Sequence, residues 1–368
     1  MTTVTLFVFI AGLVLLVLGA NAFVRGAADL AAALGAPALV IGLTVVAFGT
    51  SSPEVLVSLQ ASVRGEPAIA LGNVIGSNIF NILFILGISA MIAPLRVSAQ
   101  LVRLDVPVMI AVSLLVVVLG WDDVLGRFDG ILLLAVIVTY TAFLVRQARR
   151  GRVEVHTDID TVSLPPMGTH WPRNLGRIVI GLGIMVLGAR WLVDSAATIA
   201  RSLGVSELVI GLTIVAAGTS LPEVATSIAA AIRGERDIAV GNVVGSNIFN
   251  LLLVLGGAAL IAPAGIPVPA AALTFDLPVM TAVAVACFPI FFTGYAISRW
   301  EGAIFLLYYI GYTAFVILDA TDHQALPILS VIMLSFVIPL TMLTFFMVWF
   351  RRLRQGRRRG EEAKGPGR

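Results

Sequence analysis

Two stretches of this chain place the same polar residues at the same spacing inside otherwise apolar runs. Residues 42–87 read GLTVVAFGTSSPEVLVSLQASVRGEPAIALGNVIGSNIFNILFILG, and residues 211–256 read GLTIVAAGTSLPEVATSIAAAIRGERDIAVGNVVGSNIFNLLLVLG. Aligned without a gap at an offset of 169, they share 30 of 46 positions. The shared residues are not chiefly the apolar ones that any membrane helix supplies, but Gly, Thr, Ser, Pro, Glu and Asn. Glu54 and Glu223 are each the only acid in their hydrophobic run. A carboxylate placed inside a bilayer is costly and marks a functional site by default. Here it occurs twice by internal repetition, which points to a paired cation site.

The helical period gathers these residues onto faces. Ala47, Thr50, Ser51 and Glu54 stand at i, i+3, i+4 and i+7, as do Ala216, Thr219, Ser220 and Glu223. Asn73, Ser77 and Asn81 repeat every four residues on the next run, and Asn242, Ser246 and Asn250 answer them. Pro53 and Pro222 directly precede the glutamates. A proline has no N–H to return to the carbonyl four residues back, here Gly49 and Gly218, so each helix should break or kink there. Released carbonyls beside a buried carboxylate suit a hard cation. The donors are all oxygen, which disfavours zinc, copper and iron. Asn73, Asn242, Asn78 and Asn247 read equally as ligands or as helix-contact residues. The Gly72/Gly76 and Gly241/Gly245 pairs read as close-contact positions. Asp105 and Asp276 precede prolines at helix starts and read as caps, and Met and Phe read as packing or lipid-facing residues.

These motifs need membrane helices to position them, and the composition supplies them. Of 368 residues, 59% are hydrophobic and 12% charged, against roughly 25% charged in a soluble domain; mean hydropathy is +1.02. The fold class is therefore all-α integral membrane. At roughly 20 residues per span, the runs near 4–24, 37–63, 68–93, 104–120, 129–147, 177–199, 206–232, 237–262, 275–296 and 300–318 form two five-helix halves. A further run at 326–350 adds an eleventh C-terminal span. The domains are then 1–147, a polar linker at 148–174, a second half at 175–318, and an appended helix with a basic tail at 319–368. Arg146, Arg149, Arg150 and Arg152 in the linker and the Arg351–Arg359 tail belong in the cytoplasm by the positive-inside rule. The N-terminus is then outside, and the second half is inverted relative to the first. Asp105-Val-Pro107-Val-Met109 answers Asp276-Leu-Pro278-Val-Met280, and Tyr140-Thr-Ala-Phe answers Tyr312-Thr-Ala-Phe. The basic tail is an anchor at the membrane face, and no nucleic acid is expected as a partner. Cys287 is the single cysteine, and His156, His170 and His323 are too dispersed for a His-based metal site.

The chain resembles the sodium/calcium exchanger superfamily, whose two alpha-repeats carry a G-T-S-x-P-E core followed by G-N-x-x-G-S-N. The matches are Gly49 to Glu54 with Gly72-Asn73 to Asn78, and Gly218 to Glu223 with Gly241-Asn242 to Asn247. The resemblance covers roughly residues 1–318. It implies a ten-helix core and a cation antiporter of the inner (plasma) membrane, with Ca2+ and Na+ or H+ as transported partners and no cofactor. It also implies that Glu54 and Glu223 bridge the central ion. Thr50, Ser51, Ser77, Asn81, Thr219, Ser220, Ser246 and Asn250 complete the sites, with backbone carbonyls from Ala47 and Ala216. Sodium-coupled members carry an aspartate where this chain has Asn250, so the site here holds two formal negative charges. Sodium/calcium exchange is the first reading. Calcium/proton exchange, or another cation antiport, through the same carboxylates is the alternative, because desolvation favours a neutral carboxyl. An intramembrane hydrolase would need a nucleophile and base that these runs do not offer, and a channel would need no inverted repeat.

Overall fold

A computed structural model describes residues 3–34, 37–157, 171–202, 216–292, 295–321, 323 and 325–327. Its helices, in chain order, are α1 Thr3–Leu34, α2 Ala38–Thr50, α3 Ser52–Val63, α4 Pro67–Ile92, α5 Leu101–Asp122, α6 Arg127–Thr157 and α7 Trp171–Ser202. There follow α8 Ala216–Gly218, α9 Leu221–Arg233, α10 Arg236–Ile261, α11 Leu277–Phe292 and α12 Arg299–Ala320. Among the described residues, seven helices are long and apolar enough to cross a membrane, and α2 with α3 makes an eighth span broken by 45°. The expected seventh span is described only from Ala216 onward. Most of the expected eleventh span, the tail and residues 158–170 of the linker lie outside the described residues.

The apolar runs sort into two environments. On α1, Phe7, Ile10, Val14 and Leu18 are exposed, whereas Leu16, Ala20, Phe23, Val24 and Ala27 are buried. The first set forms a lipid-facing surface and the second faces protein. The polar helices α4 and α10 are the most enclosed, as their amide and hydroxyl groups require in a medium without water. Residues 148–157 of the expected linker continue α6, which runs on to Thr157, since RQARRGRVEV holds good helix formers and no proline.

The antiparallel pair of α1 and α7 is joined backbone to backbone. A Cβ at Gly19 would lie 2.5 Å from the Met185 nitrogen, and one at Gly188 would lie 2.5 Å from the Leu16 nitrogen. Gly12 meets Gly188, and Gly26 meets Asn174 and Ile178, so the contact runs the length of both helices. The spacing of seven between Gly12, Gly19 and Gly26 keeps one face on the partner. Of the GxxxG pairs, Gly241 packs on the Leu39 carbonyl and Gly245 on Leu43 and Ala47. The segment equivalent by the repeat to the one beside Gly241 and Gly245 lies mostly outside the described residues.

Two ribbons of two residues per strand qualify the all-helical expectation. Leu95–Arg96 pairs antiparallel with Ala296–Ile297, and Val124–Leu125 with Ile266–Pro267. Each joins a loop of one half to a loop of the other, and segments so short leave no alternating pattern in the sequence. Asp105 corrects another expectation. Its backbone is already helical and it makes no capping bond. It ends a π-helical turn, Leu101–Asp105, in which the following N–H groups are already taken. Its buried Oδ1 instead accepts a hydrogen bond from the Tyr140 hydroxyl at 2.9 Å. Asp276 ends the equivalent π turn, Ala272–Asp276. The true caps lie elsewhere: Asp129 accepts from the Gly126 nitrogen at 2.7 Å, and Glu301 from the Ser298 nitrogen at 2.7 Å.

The glycine seam yields a paired test. Gly188→Ala drives a methyl into the α1 backbone and should lower the thermal midpoint of the detergent-solubilised protein. Gly183→Ala on the same helix meets nothing within 4 Å and should leave it unchanged or slightly raised, by the better helix propensity of alanine. Equal midpoints for the two variants, measured by scanning fluorimetry, would contradict the backbone seam.

Candidate cation site

The site is made by two broken helices facing two polar ones. The helical path stops at Ser51 (φ −78°, ψ 6°) and at Ser220 (φ −88°, ψ 8°), and a new helix starts at once with Pro53 or Pro222 in its first turn. Glu54 and Glu223 therefore sit in the first turns of α3 and α9, where the N-terminal dipole favours a carboxylate. The C-terminal end of α2 lies beside them with its partial negative charge. This is the break that the prolines lead one to expect.

Both glutamates are fully buried, and each takes a hydrogen bond from the serine of the other half. The Ser220 hydroxyl donates to Glu54 Oε1 at 2.9 Å, and the Ser51 hydroxyl donates to Glu223 Oε1 at 3.1 Å. Ser77 meets Ser220 at 3.1 Å, and Ser246 meets Thr50 at 3.4 Å. The two carboxyls lie close enough for like-charge repulsion, and neither has a salt-bridge partner among the described residues. Thr50 also donates to Asn242 Oδ1 at 2.9 Å, with the Ala47 carbonyl 3.3 Å from the same hydroxyl, and Thr219 donates to Asn73 Oδ1 at 3.3 Å. Ala216 begins α8, and its side chain lies outside the description.

The residues that the sequence left between ligand and packing roles serve as struts. Asn73 donates to the Ser58 hydroxyl at 3.0 Å, and Asn242 donates to the Ser227 hydroxyl at 2.9 Å. Their oxygens hold the two threonines, so each links three helices. Ser58 and Ser227 escaped the sequence reading although they are identical between the copies, which was the available signal. Met109 and Met280 are more than packing: their sulfurs take amide hydrogens of Asn247 at 3.6 Å and Asn78 at 3.8 Å.

Four buried oxygens on the helices that carry these residues have no hydrogen-bond partner among the described residues: Glu54 Oε2, Glu223 Oε2, Asn81 Oδ1 and Asn250 Oδ1. They form two repeat-related pairs, and no other partnerless buried atom recurs at equivalent positions of both halves. No group of three or more His, Cys, Asp or Glu occurs among the described residues. These four are hard oxygens, two of them acidic, on helices that also carry the hydroxyls and amides above. Such a set suits an alkali or alkaline-earth cation.

A mostly helical membrane protein with a doubled set of buried oxygens between its halves fits the class of ion transporters. Comparison with known proteins names the family: the chain belongs to the sodium/calcium exchanger protein family, whose model matches residues 4–146 and 174–318. It is 32% identical over 345 residues to the sodium/calcium exchanger MaX1 of Methanosarcina acetivorans, covering 85% of this chain and 98% of that one. It is 42% identical over 262 residues to the inner membrane protein YrbG of Escherichia coli, covering 69% and 79%. Solved structures of the sodium-calcium exchanger NCX_Mj superpose with a TM-score of 0.72 at 34% identity, over 84% of this chain and 98% of that one.

Because the serine bonds are reciprocal, their loss should be too. Ser51→Ala and Ser220→Ala each remove one hydrogen bond to a carboxylate, worth about 1.5–3 kcal/mol. Each should weaken cation binding in isothermal titration by a similar factor. A large loss for one and none for the other would show that the halves do not contribute alike.

Proposed function

We propose that this protein is a secondary active cation antiporter that exchanges Ca2+ for Na+ through the centre between Glu54 and Glu223. The observation that carries the proposal is the set of four partnerless oxygens. Buried polar atoms are almost always satisfied, so two carboxylate and two amide oxygens left open at one fully buried centre are a coordination shell awaiting a cation. In this reading Thr50, Ser51, Ser77, Thr219, Ser220 and Ser246, with the Ala47 and Ala216 carbonyls, complete the shells around neighbouring ions. MaX1 and NCX_Mj bear the name of sodium/calcium exchangers, which favours Na+ over H+ as the counter-ion.

The halves 1–147 and 175–318 act as inverted repeats joined by a cytoplasmic linker at 148–174, with the N-terminus outside an inner membrane. The reciprocal ribbons and serine–glutamate bonds support that symmetry, and the name of YrbG supports the location. Alternating access comes from α1 and α7 moving as one body over the site. Their glycine seam couples them tightly. Phe23 on α1 covers Gly49, and Val193 on α7 covers Gly218, so the pair touches both helix breaks.

Charge sets the exchange ratio. Two carboxylates are neutralised by one Ca2+, by two Na+ or by two H+, and Asn250 supplies no third charge. Exchange should therefore be electroneutral. In proteoliposomes, radiolabelled Ca2+ uptake should follow an outward Na+ gradient, and an inside-negative potential set by valinomycin should leave its initial rate unchanged. Uptake driven by a pH gradient without Na+ identifies the calcium/proton alternative. Glu54→Gln or Glu223→Gln leaves Ca2+ with an uncompensated buried charge, a penalty on the order of several kcal/mol. Both should abolish uptake; near-normal rates in either variant would remove the ion from this site.

A further inference from the structure

Asn78 and Asn247 lie three residues before Asn81 and Asn250 on α4 and α10, buried, and outside the set of oxygens proposed to meet the cation. Their amides are locked by groups that can only accept. The Asn78 NH2 donates to the Asn247 carbonyl at 3.4 Å and faces the Met280 sulfur at 3.8 Å. The Asn247 NH2 donates to the Asn78 carbonyl at 3.3 Å and faces the Met109 sulfur at 3.6 Å. Neither a backbone carbonyl nor a thioether carries a hydrogen, so the nitrogen of each amide must point that way and the oxygen must point to the other side.

There the next links follow with the same necessity. Asn78 Oδ1 receives Asn250 Nδ2 at 3.1 Å, and Asn247 Oδ1 receives Asn81 Nδ2 at 3.0 Å. An amide flip at Asn81 or Asn250 would set oxygen against oxygen and turn nitrogen toward the centre. With the nitrogens engaged, the oxygens of both side chains are left open.

We infer that Asn78 and Asn247 are positioning residues that act across the interface, Asn78 holding Asn250 and Asn247 holding Asn81, so that both amides present oxygen and not nitrogen to the cation. This rests on the reading of Asn81 and Asn250 as ligands. It also gives the D-x-P-V-M repeat a task, because its methionines stand behind the two positioning amides. A further consequence falls on position 250. In this chain the residue there donates a hydrogen to Asn78 Oδ1, a bond that an ionised aspartate could not make.

The connections are crossed, and a double-mutant cycle reads crossing directly. The full-length protein in proteoliposomes is assayed for the apparent KM for Ca2+ and for maximal rate. Asn78→Ala should raise KM about tenfold, the loss of one oriented ligand, with a smaller change in maximal rate. Added to Asn250→Ala it should cost nothing more, whereas added to Asn81→Ala it should keep its full effect. Asn247→Ala should show the mirror pattern, coupled to Asn81 and not to Asn250. If Asn78→Ala does not assemble, the polar Asn78→Ser is taken through the same cycle. A general loss of packing would lower the maximal rate alike in every background; equal effects of Asn78→Ala in both backgrounds overturn the inference. If Asn250→Ala and Asn81→Ala themselves leave KM unchanged, it is the ligand reading that fails, and the inference falls with it.

Discussion

Two carboxylates are enclosed in the middle of a membrane protein with no salt-bridge partner among the described residues. A single charged residue at mid-bilayer costs about 2.5–3.5 kcal/mol on insertion scales, and two near each other add their mutual repulsion. The surrounding structure is arranged to make that tolerable. Each helix is interrupted one turn before its glutamate, so that an N-terminal dipole meets the carboxyl, and each glutamate receives a serine hydroxyl from the opposite half. What remains without a hydrogen-bond partner among the described residues is one oxygen of each.

The cross-bonding also explains why the motif is present twice. Neither half completes its own carboxyl: Glu54 depends on Ser220, and Glu223 on Ser51. The same holds for the threonine–asparagine links, the amide network and the two small ribbons, each of which joins one half to the other. A duplicated polar set at an offset of 169 is the sequence trace of this mutual dependence. The outer pair α1 and α7 is built differently. It carries glycines where the centre carries amides, and it meets the centre largely through apolar contacts at Gly49 and Gly218. A seam of backbone contacts is stiff within the pair, whereas apolar contacts to a neighbour permit sliding.

Much of this was legible in the residues alone. Proline before glutamate announced the helix breaks, the helical period put Thr50, Ser51 and Glu54 on one face, and apolar runs gave most span boundaries within a few residues. Other features had no local signal. The role of Asp105 depends on Tyr140, 35 residues away and on another helix, so a helix-start position suggested a cap that the backbone does not need. The ribbons are too short for alternation to show. The Asn81 and Asn250 amides donate to the side-chain oxygens of Asn247 and Asn78 in the other half, contacts that no local pattern reports. Asn78 and Met280 were visible as repeated residues, but their contact is tertiary, and repetition alone does not distinguish a ligand from the group that aims it.

The most direct test of the central claim is to locate the ion. A crystal structure of the protein with Sr2+ replacing Ca2+, phased on the anomalous signal of the cation, reports its position without reliance on activity. The account predicts a peak between Glu54 and Glu223, with the two free carboxylate oxygens at about 2.3–2.6 Å, as expected for a calcium-like ion. A fully occupied cation elsewhere, with Glu54 Oε2 and Glu223 Oε2 bonded only to water or to each other through a shared proton, would contradict it.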